Sequence, residues 1–205
     1  MKPPIDGFNL LSFNKGPVTQ YFGENPTLYA RFGMKGHNGI DLVRPHGSPL
    51  YAIEDGEVVD VKNDPAGFGR HLRIIAGDNE WTYGHCHEIF VKIGQQVKAG
   101  ETIATMGNTG FVVSGATPFW RVNPYAGTHL HLGLRKIKRS RKGWSYAGSK
   151  LKFEVLNHGN GYKGSIDPAP LLGRIGYKEP ESTQRQLLLT TVSLLNTLIR
   201  LKKNR

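Results

Sequence analysis

Short β-prone segments alternate with turn-forming residues through the middle of this 205-residue chain. The turns are marked by Asp55-Gly56, Asp64-Pro65, Gly77-Asp78-Asn79 and Gly107-Asn108. Such closely spaced breakers leave too few residues for long helices and predict hairpins of short antiparallel strands. The strands predicted on this pattern cover residues 18–22, 50–53, 57–61, 71–76, 80–85, 102–106 and 129–135.

The composition agrees with a turn-rich β protein. There are 26 glycines and 12 prolines, and 38% of the residues are hydrophobic, which is more typical of a β protein than of a helical bundle. We therefore predict an all-β fold of antiparallel strands. The residues 136–165 are basic and glycine-rich without clear periodicity, and we predict that they form a long insertion with one hairpin.

The C-terminal region differs in kind from the rest. Leu188, Val192, Leu195 and Ile199 recur at helical spacing behind a capping box at 183–186, which predicts an amphipathic helix over 184–201. An isolated helix of this size is marginal in water, so its apolar face requires a cover. Packing on its own domain is favoured over self-association or a membrane surface. The polar stripe of the helix argues against a transmembrane segment, and no run reaches the roughly 18–20 apolar residues that a membrane span needs.

The formal net charge of +11 is concentrated in two clusters. The denser cluster lies at 135–142, and four cations lie at 200–205. Either the clusters are solvated faces or they attract a polyanion, for which nucleic acid, anionic lipid and phosphate-bearing wall polymers are candidates. No aromatic-rich recognition module accompanies them, so specific nucleic-acid binding is not expected.

Three short motifs carry residue types that a hydrolytic metal site needs. They are His37-Asn38-Gly39-Ile40-Asp41, Tyr83-Gly84-His85 and His129-Leu130-His131. On a strand, His129 and His131 share one face while Leu130 faces the core. Gly39 gives the chain freedom to turn between His37 and Asp41. A catalytic zinc takes three such ligands and leaves a fourth position open.

Each motif also has a plainer interpretation. The His-Leu-His pair alone is equally compatible with a solvated strand face, and the first motif with an Asx-type turn bearing a surface histidine. In His85-Cys86-His87 we keep His85 in the site, leave His87 outside it, and interpret Cys86 as a small buried residue. Cys86 is the only cysteine, so no internal disulfide forms. His46, His71 and His158 have no motif around them and are predicted to be surface or loop histidines.

Together the motifs resemble those of the lysostaphin-type zinc metallopeptidases, which cut peptidoglycan cross-bridges. Further similar segments are 17–23, 47–59, 97–110 and 166–172, so the resemblance spans about 17–172. It implies the family's fold, a two-sheet antiparallel sandwich or barrel hybrid over 17–173 with the site in a groove between the sheets, after a lead-in at 1–16 and before a linker and helix at 174–205. It also implies the zinc ligands His37, Asp41 and His131 and the catalytic histidines His129 and His85, and it makes Tyr29 a candidate for a tyrosine near the metal. Relative to the family pattern, the segments 111–127 and 136–165 are long insertions beside the groove, so the resemblance does not carry over a substrate preference.

The expected function is zinc-dependent endopeptidase action on bacterial peptidoglycan, with anionic wall polymers as further partners of the basic surface. Because residues 1–6 lack the features of a secretory signal, we expect a phage lysin, a tail-associated hydrolase or another non-classical route to the wall. The main alternative is a non-catalytic wall-binding or activator module of the same fold. Two carrier classes are further alternatives. A biotinyl- or lipoyl-type carrier would need a lysine at a hairpin tip. A phosphocarrier that uses paired histidines would not need Asp41 as a ligand.

Overall fold

The computed structural model of the chain describes residues 1–8, 17–114, 117–118 and 123–173. The predicted helix at 184–201 lies outside the described residues, as do the linker from 174 onward and parts of the lead-in and of the first insertion. Within the described ranges, neither helix is long and apolar enough to cross a bilayer.

The described elements are almost all strands. In chain order they are β1 (Val18–Gln20), α1 (Pro26–Ala30), β2 (Ile40–Leu42), β3 (Pro49–Tyr51), β4 (Gly56–Asp64), β5 (Gly69–Ala76), β6 (Asn79–Gly84), β7 (Gln96–Val97), β8 (Thr102–Thr105), β9 (Val113–Ser114), β10 (Thr117–Pro118), β11 (Leu130–Trp144), β12 (Phe153–Val155), β13 (Ser165–Ile166) and α2 (Ala169–Leu172). The main sheet has the order β1-β2-β11-β6-β5-β4-β7, and β12 and β13 also pair with β11. Two small sheets, β3-β8 and β9-β10, complete the set, and every pairing is antiparallel. The predicted antiparallel all-β fold is confirmed.

The hydrophobic core lies against one face of the main sheet. Leu130 and Leu132 of β11 are fully buried in it, together with Leu50 of β3 and Ile103 of β8. Because side chains alternate along a strand, His131 must lie on the opposite face. The predicted position of the site, in a groove between the two sheets, is therefore wrong. The space between the sheets is core, and the site lies on the outer face of the main sheet.

The second insertion contains the predicted hairpin, but its first strand is longer than expected. β11 continues to Trp144 instead of ending at 135, and β12 pairs back onto it. The far half carries the exposed cations Lys138, Arg139, Arg141 and Lys142, so no apolar alternation marks it as a strand. A second, smaller core of Val59, Ile75, Ile137 and Phe153 covers this part of the sheet.

A buried ion pair joins the hairpin to the outer face of the main sheet. Glu80 of β6 is completely buried, and the guanidinium of Arg135 on β11 donates to its carboxylate at 3.0 Å. The hydroxyl of Tyr146, between β11 and β12, lies 3.2 Å from both carboxylate oxygens. Removing one partner leaves the other charge buried and uncompensated.

We expect Glu80→Ala to lower the free energy of unfolding by about 3–5 kcal/mol, because the Arg135 charge then lacks its buried partner. Asp55→Asn is the control, since Asp55 is exposed, forms its ion pair with exposed Lys98, and keeps an oxygen for the Ala99 N–H when changed to Asn; we expect little change. Urea unfolding followed by tryptophan fluorescence measures both. Equal stabilities of the two variants would contradict the importance of the buried pair.

Candidate metal centre and catalytic cleft

Strand register brings the three sequence motifs together. In the antiparallel pairing of β11 with its two neighbours, His131 lies opposite Asp41 of β2 on one side and opposite Gly84 of β6 on the other. Directly opposed residues share a face of the sheet, so one row across three strands holds one residue of each motif. His37 precedes β2 and is fixed by backbone hydrogen bonds with Gly23 and Glu24, both 2.8 Å.

Three side-chain atoms form a tight triangle. Two belong to residues of this row, and the third belongs to His37, which precedes it. His37 Nε2 lies 2.9 Å from His131 Nδ1 and 3.1 Å from Asp41 Oδ1, and His131 Nδ1 lies 3.2 Å from the same oxygen. All three residues are buried. A tetrahedral zinc with ligands at 2.0–2.1 Å spaces them by roughly 3.3 Å, so the triangle has the size that one such ion requires.

Hydrogen bonding alone does not satisfy these three atoms. His37 Nδ1 lies 3.1 Å from the carbonyl oxygen of Tyr21, so the proton of a neutral His37 is placed there and Nε2 presents a lone pair. The Asp41 carboxylate is an acceptor only. At most one proton, on His131 Nδ1, remains for the three atoms, whereas a cation would satisfy all of them. The donor set fits zinc on this ground.

The electrostatics of the buried ligands favour the metal-binding forms. Burial opposes ionisation of Asp41, but the adjacent His129 and hydrogen bonds with His131 and His37 hold the pKa of its carboxyl well below the ordinary value. Burial lowers the pKa of His131 to about 4, against the opposing effect of Asp41. An ionised carboxylate and a neutral imidazole are the states that bind zinc.

Gly39 is needed for space rather than for freedom to turn. Its φ is not positive, but a Cβ there would lie 2.6 Å from the Leu132 carbonyl oxygen and 2.8 Å from the His131 ring. We expected glycine at position 39 because it gives the backbone freedom to turn. The structure indicates a different reason, which is the lack of space for a side chain. The missing side chain lets His131 pack directly against the strand that carries Asp41.

His129 and His85 face each other beside the triangle. Their ring centroids are 4.6 Å apart, and His129 Nε2 lies 3.6 Å from Asp41 Oδ2. His129 Nδ1 lies 2.7 Å from the Gly127 carbonyl oxygen, and His85 Nδ1 lies 2.7 Å from that of Thr109. A neutral ring that donates its Nδ1 proton to the backbone in this way keeps Nε2 as an acceptor. Burial, then His129 and His131, lowers the pKa of His85 well below its ordinary value.

Strand β6 ends immediately before His85, which has a left-handed backbone with φ 62°. That change of direction separates His85 from its neighbours. Cys86 is fully buried, and burial raises the pKa of its thiol to about 12. The side chain of His87 is 42% exposed and packs on His46, with ring centroids 4.4 Å apart. The expectations of a buried Cys86 and of His87 outside the cluster agree with this geometry.

Tyr29 lies near the cluster, as anticipated. Its ring centroid is 5.2 Å from that of His37, and its hydroxyl donates to Gln20 at 3.4 Å. Burial and the charge of Asp41 raise the pKa of Tyr29 above its ordinary value, so the phenol stays protonated. In contrast, the prediction that His71 is a surface or loop residue is wrong. His71 is buried in β5 and lies 3.6 Å from the Asp60 carboxylate.

Two cavities flank the cluster along the cleft. One of about 480 Å³ includes Asp41, His129 and Val112, and one of about 230 Å³ includes Phe68 and Lys163. Four residues border both of them: Tyr29, His85, Phe111 and His131. The candidate metal centre therefore lies where the two cavities meet.

We expect Gly39→Ala to reduce bound zinc and to destabilise the fold by about 1–3 kcal/mol, because the added methyl group overpacks the His131 ring. Gly159→Ala is the matched control, since nothing lies within 4 Å of its added Cβ and its φ is not positive. Zinc per chain by elemental analysis and the urea midpoint are the measurements. Wild-type zinc content in Gly39→Ala would contradict the steric role of Gly39.

Known proteins similar to this chain were found by sequence and by structure. Peptidoglycan DD-endopeptidase ShyA of Vibrio cholerae is 38% identical over 99 residues, which cover 48% of this chain and 20% of that protein. Murein hydrolase activator NlpD of Salmonella dublin is 40% identical over 77 residues, covering 37% and 20% respectively. The chain thus matches only a fifth of the length of either relative.

The fold has solved counterparts. The structure of LytU is 27% identical with a TM-score of 0.54, covering 80% of this chain and 90% of that one. Lysostaphin from Staphylococcus simulans, at 23% identity and a TM-score of 0.53, covers 80% of this chain and 51% of its own, and it shows the shared fold. The family model described as "Peptidase family M23" matches residues 35–163, a segment that holds His37, Asp41, His85, His129 and His131. Since this match covers more than half of the sequence, the chain belongs to peptidase family M23.

Proposed function

We propose that this protein is a zinc-dependent endopeptidase that hydrolyses peptide cross-links of bacterial peptidoglycan. The observation that carries the proposal is the triangle of His37 Nε2, Asp41 Oδ1 and His131 Nδ1, with edges of 2.9–3.2 Å. Beside it lie His129 and His85, whose Nδ1 atoms are held by backbone carbonyl groups. Family membership and an endopeptidase among the similar proteins support the same activity.

When bound by His37, Asp41 and His131, zinc supplies Lewis acidity that polarises a carbonyl group and acidifies water. His129 is the proposed proton acceptor, since its Nε2 lies 3.6 Å from Asp41 Oδ2 and that carboxylate stabilises the imidazolium. The proton is then returned to the leaving amine from the same atom. His85 is the proposed partner that accepts a hydrogen bond through Nε2 and orients the attacking water. The protonated Tyr29 adds a donor near the reacting carbonyl.

The proposal also covers how the protein is held at the bacterial wall and where it comes from. The exposed cations of the β11–β12 hairpin are proposed to hold the enzyme to anionic wall polymers by long-range attraction. A phage lysin or tail-associated hydrolase is the proposed source, an idea that rests on the long segments 111–127 and 136–165 beside the cleft.

The direct test is release of new amino groups from purified sacculi, with and without a zinc chelator. Walls with glycine bridges and walls with direct cross-links are compared, each at low and high salt. We expect chelator-sensitive release from one wall type, weakening with salt as surface charges are screened. Bound zinc without release from either wall would favour a non-catalytic binding or activating module, and one similar protein is named a murein hydrolase activator.

Substitutions separate the proposed metal ligands from the proton-transfer residues. We expect His131→Ala to lose bound zinc, because one of three ligands is removed. We expect His129→Ala to keep zinc and to lose turnover by about 10²- to 10⁴-fold, the usual contribution of a general base. Zinc content and amine release are measured on the same preparations.

His85→Ala and His87→Ala form the matched pair for the third histidine. Turnover is expected to fall with His85→Ala and to persist with His87→Ala, whose side chain lies outside both cavities of the cleft. Loss of zinc in His129→Ala, or of activity in His87→Ala alone, would show that the roles are assigned to the wrong histidines.

A further inference from the structure

Strand β1 contains an irregularity that turns Gln20 away from the core. Val18 pairs with Leu42 of β2, and the next paired residue, Gln20, lies opposite Asp41, which leaves one extra residue in β1. In an unbroken register Gln20 would pair with Ile40 and share the core-facing side of the sheet with Val18, which packs against the core. Opposite Asp41, Gln20 instead lies on the outer face, in the row that holds the candidate ligands. Bulges often redirect a side chain beside a functional site.

The side-chain amide of Gln20 is only partly satisfied in this position. Gln20 lines the larger cavity of the cleft together with Tyr29, Asp41 and His129. Its Oε1 accepts from the Tyr29 hydroxyl at 3.4 Å, well beyond the roughly 2.7–2.8 Å that is usual between two oxygens. Its Nε2 is buried and donates to none of the described residues. A buried donor without an acceptor costs free energy, so packing alone would favour an apolar side chain of the same length.

The single proton of the Tyr29 hydroxyl has two possible acceptors. In the structure this proton is donated to Gln20, whereas the proposed reaction requires it at the carbonyl of the scissile bond. A phenol donates only one hydrogen bond. The terminal torsion of glutamine is roughly two-fold, so a turn of about 180° exchanges Oε1 and Nε2. After that turn, Nε2 donates to the Tyr29 oxygen, and the hydroxyl proton is free for the substrate.

Resting on the proposed function, we propose that Gln20 is a positioning residue that acts through Tyr29, its Nε2 donating to the phenol oxygen while the phenol donates to the scissile carbonyl. The buried donor gains its acceptor in that arrangement. Hydrogen bonds in a chain polarise one another, so the bond from Gln20 strengthens the bond that Tyr29 makes. The gain grows as negative charge develops on the carbonyl oxygen, and it is therefore expected in kcat rather than in KM.

Gln20→Met tests the role of the amide, because it removes both polar atoms and keeps the length of the side chain. The zinc enzyme is assayed on a soluble cross-linked peptide from the wall type that it cleaves. We expect kcat to fall by about 3- to 10-fold, the usual effect of one hydrogen bond, with KM unchanged. The urea midpoint is not expected to fall, because the variant loses a buried donor that has no partner. A loss of activity accompanied by a lower midpoint would indicate a structural role and overturn the proposal.

Tyr29→Phe distinguishes action through Tyr29 from direct contact with the substrate. In this background Gln20→Met is expected to have no further effect on kcat, because the group through which Gln20 acts has been removed. An equal loss in both backgrounds would overturn the proposal. Gln96→Met is the matched control, since Gln96 is exposed, donates to Glu57 and lines neither cavity of the cleft. We expect its kcat to equal that of the wild type.

A binding readout separates this proposal from the proposed catalysis. NMR follows the side-chain amide of Gln20, whose signals are identified by their loss in Gln20→Met. A phosphinate analogue of the peptide presents a tetrahedral anion in place of the carbonyl. At saturation we expect it to shift these signals in the wild type and not in Tyr29→Phe.

The outcomes of this titration and of the wall assay are distinguishable. The expected shift without amine release from any wall would support the hydrogen bond from Gln20 to Tyr29, and only the enzyme assignment would fail. Unchanged Gln20 signals in the wild type, or an equal shift in Tyr29→Phe, would overturn the role of Gln20 even if walls are cleaved.

Discussion

The pairing of β11 with β2 on one side and β6 on the other is the constraint on which the site depends. His131 faces Asp41 and Gly84 in that register. A slip of one residue would turn His131 into the core and bring Leu130 or Leu132 to the outer face. The buried leucines therefore fix the position of the candidate ligands, because the core tolerates only one of the two faces. Stability and site geometry are specified by the same alternation.

The site buries an ionised Asp41 among histidines, and groups around the ligands help to offset the free-energy cost of that burial. When a histidine ring is neutral, its one proton must point away from the cluster. Backbone carbonyls of Tyr21, Thr109 and Gly127 do this for His37, His85 and His129. Peptide carbonyls are fixed by the fold and do not titrate, so they set the tautomers without adding charge.

The sequence predicted those features of the structure that depend on the chemical type of a residue or on the alternation of apolar and polar residues. The three motifs, the central strands and a buried Cys86 all follow from residue type and period. The strand β2 and the helix α1 could not be predicted in this way. They have three and five residues, which are too few to show a period. The length of β11 was missed because Lys138 to Lys142 are solvated on both faces. His71 was misread because its partner Asp60 becomes adjacent only through strand pairing.

Gly39 shows a different limit. Its sequence context indicated a turn, yet its requirement for space arises from the ring of His131, which lies 92 residues further along the chain. The same holds for the three carbonyls that orient the histidines, because any residue supplies a carbonyl. Contacts made by the backbone, or by the absence of a side chain, leave no chemical signature in one sequence.

The reacting centre and the walls of the cleft come from different parts of the chain. The proposed ligands and proton-transfer residues belong to strands of the main sheet or to their immediate ends, where register fixes them. Phe111 and Lys163 belong to segments that depart from the family pattern, and both line the smaller cavity. Changes in those segments would alter the walls of the cleft without moving the row of β2, β11 and β6. Membership of peptidase family M23 therefore bears on the candidate ligands, whereas the shape of the cleft depends on residues that lie outside the three motifs.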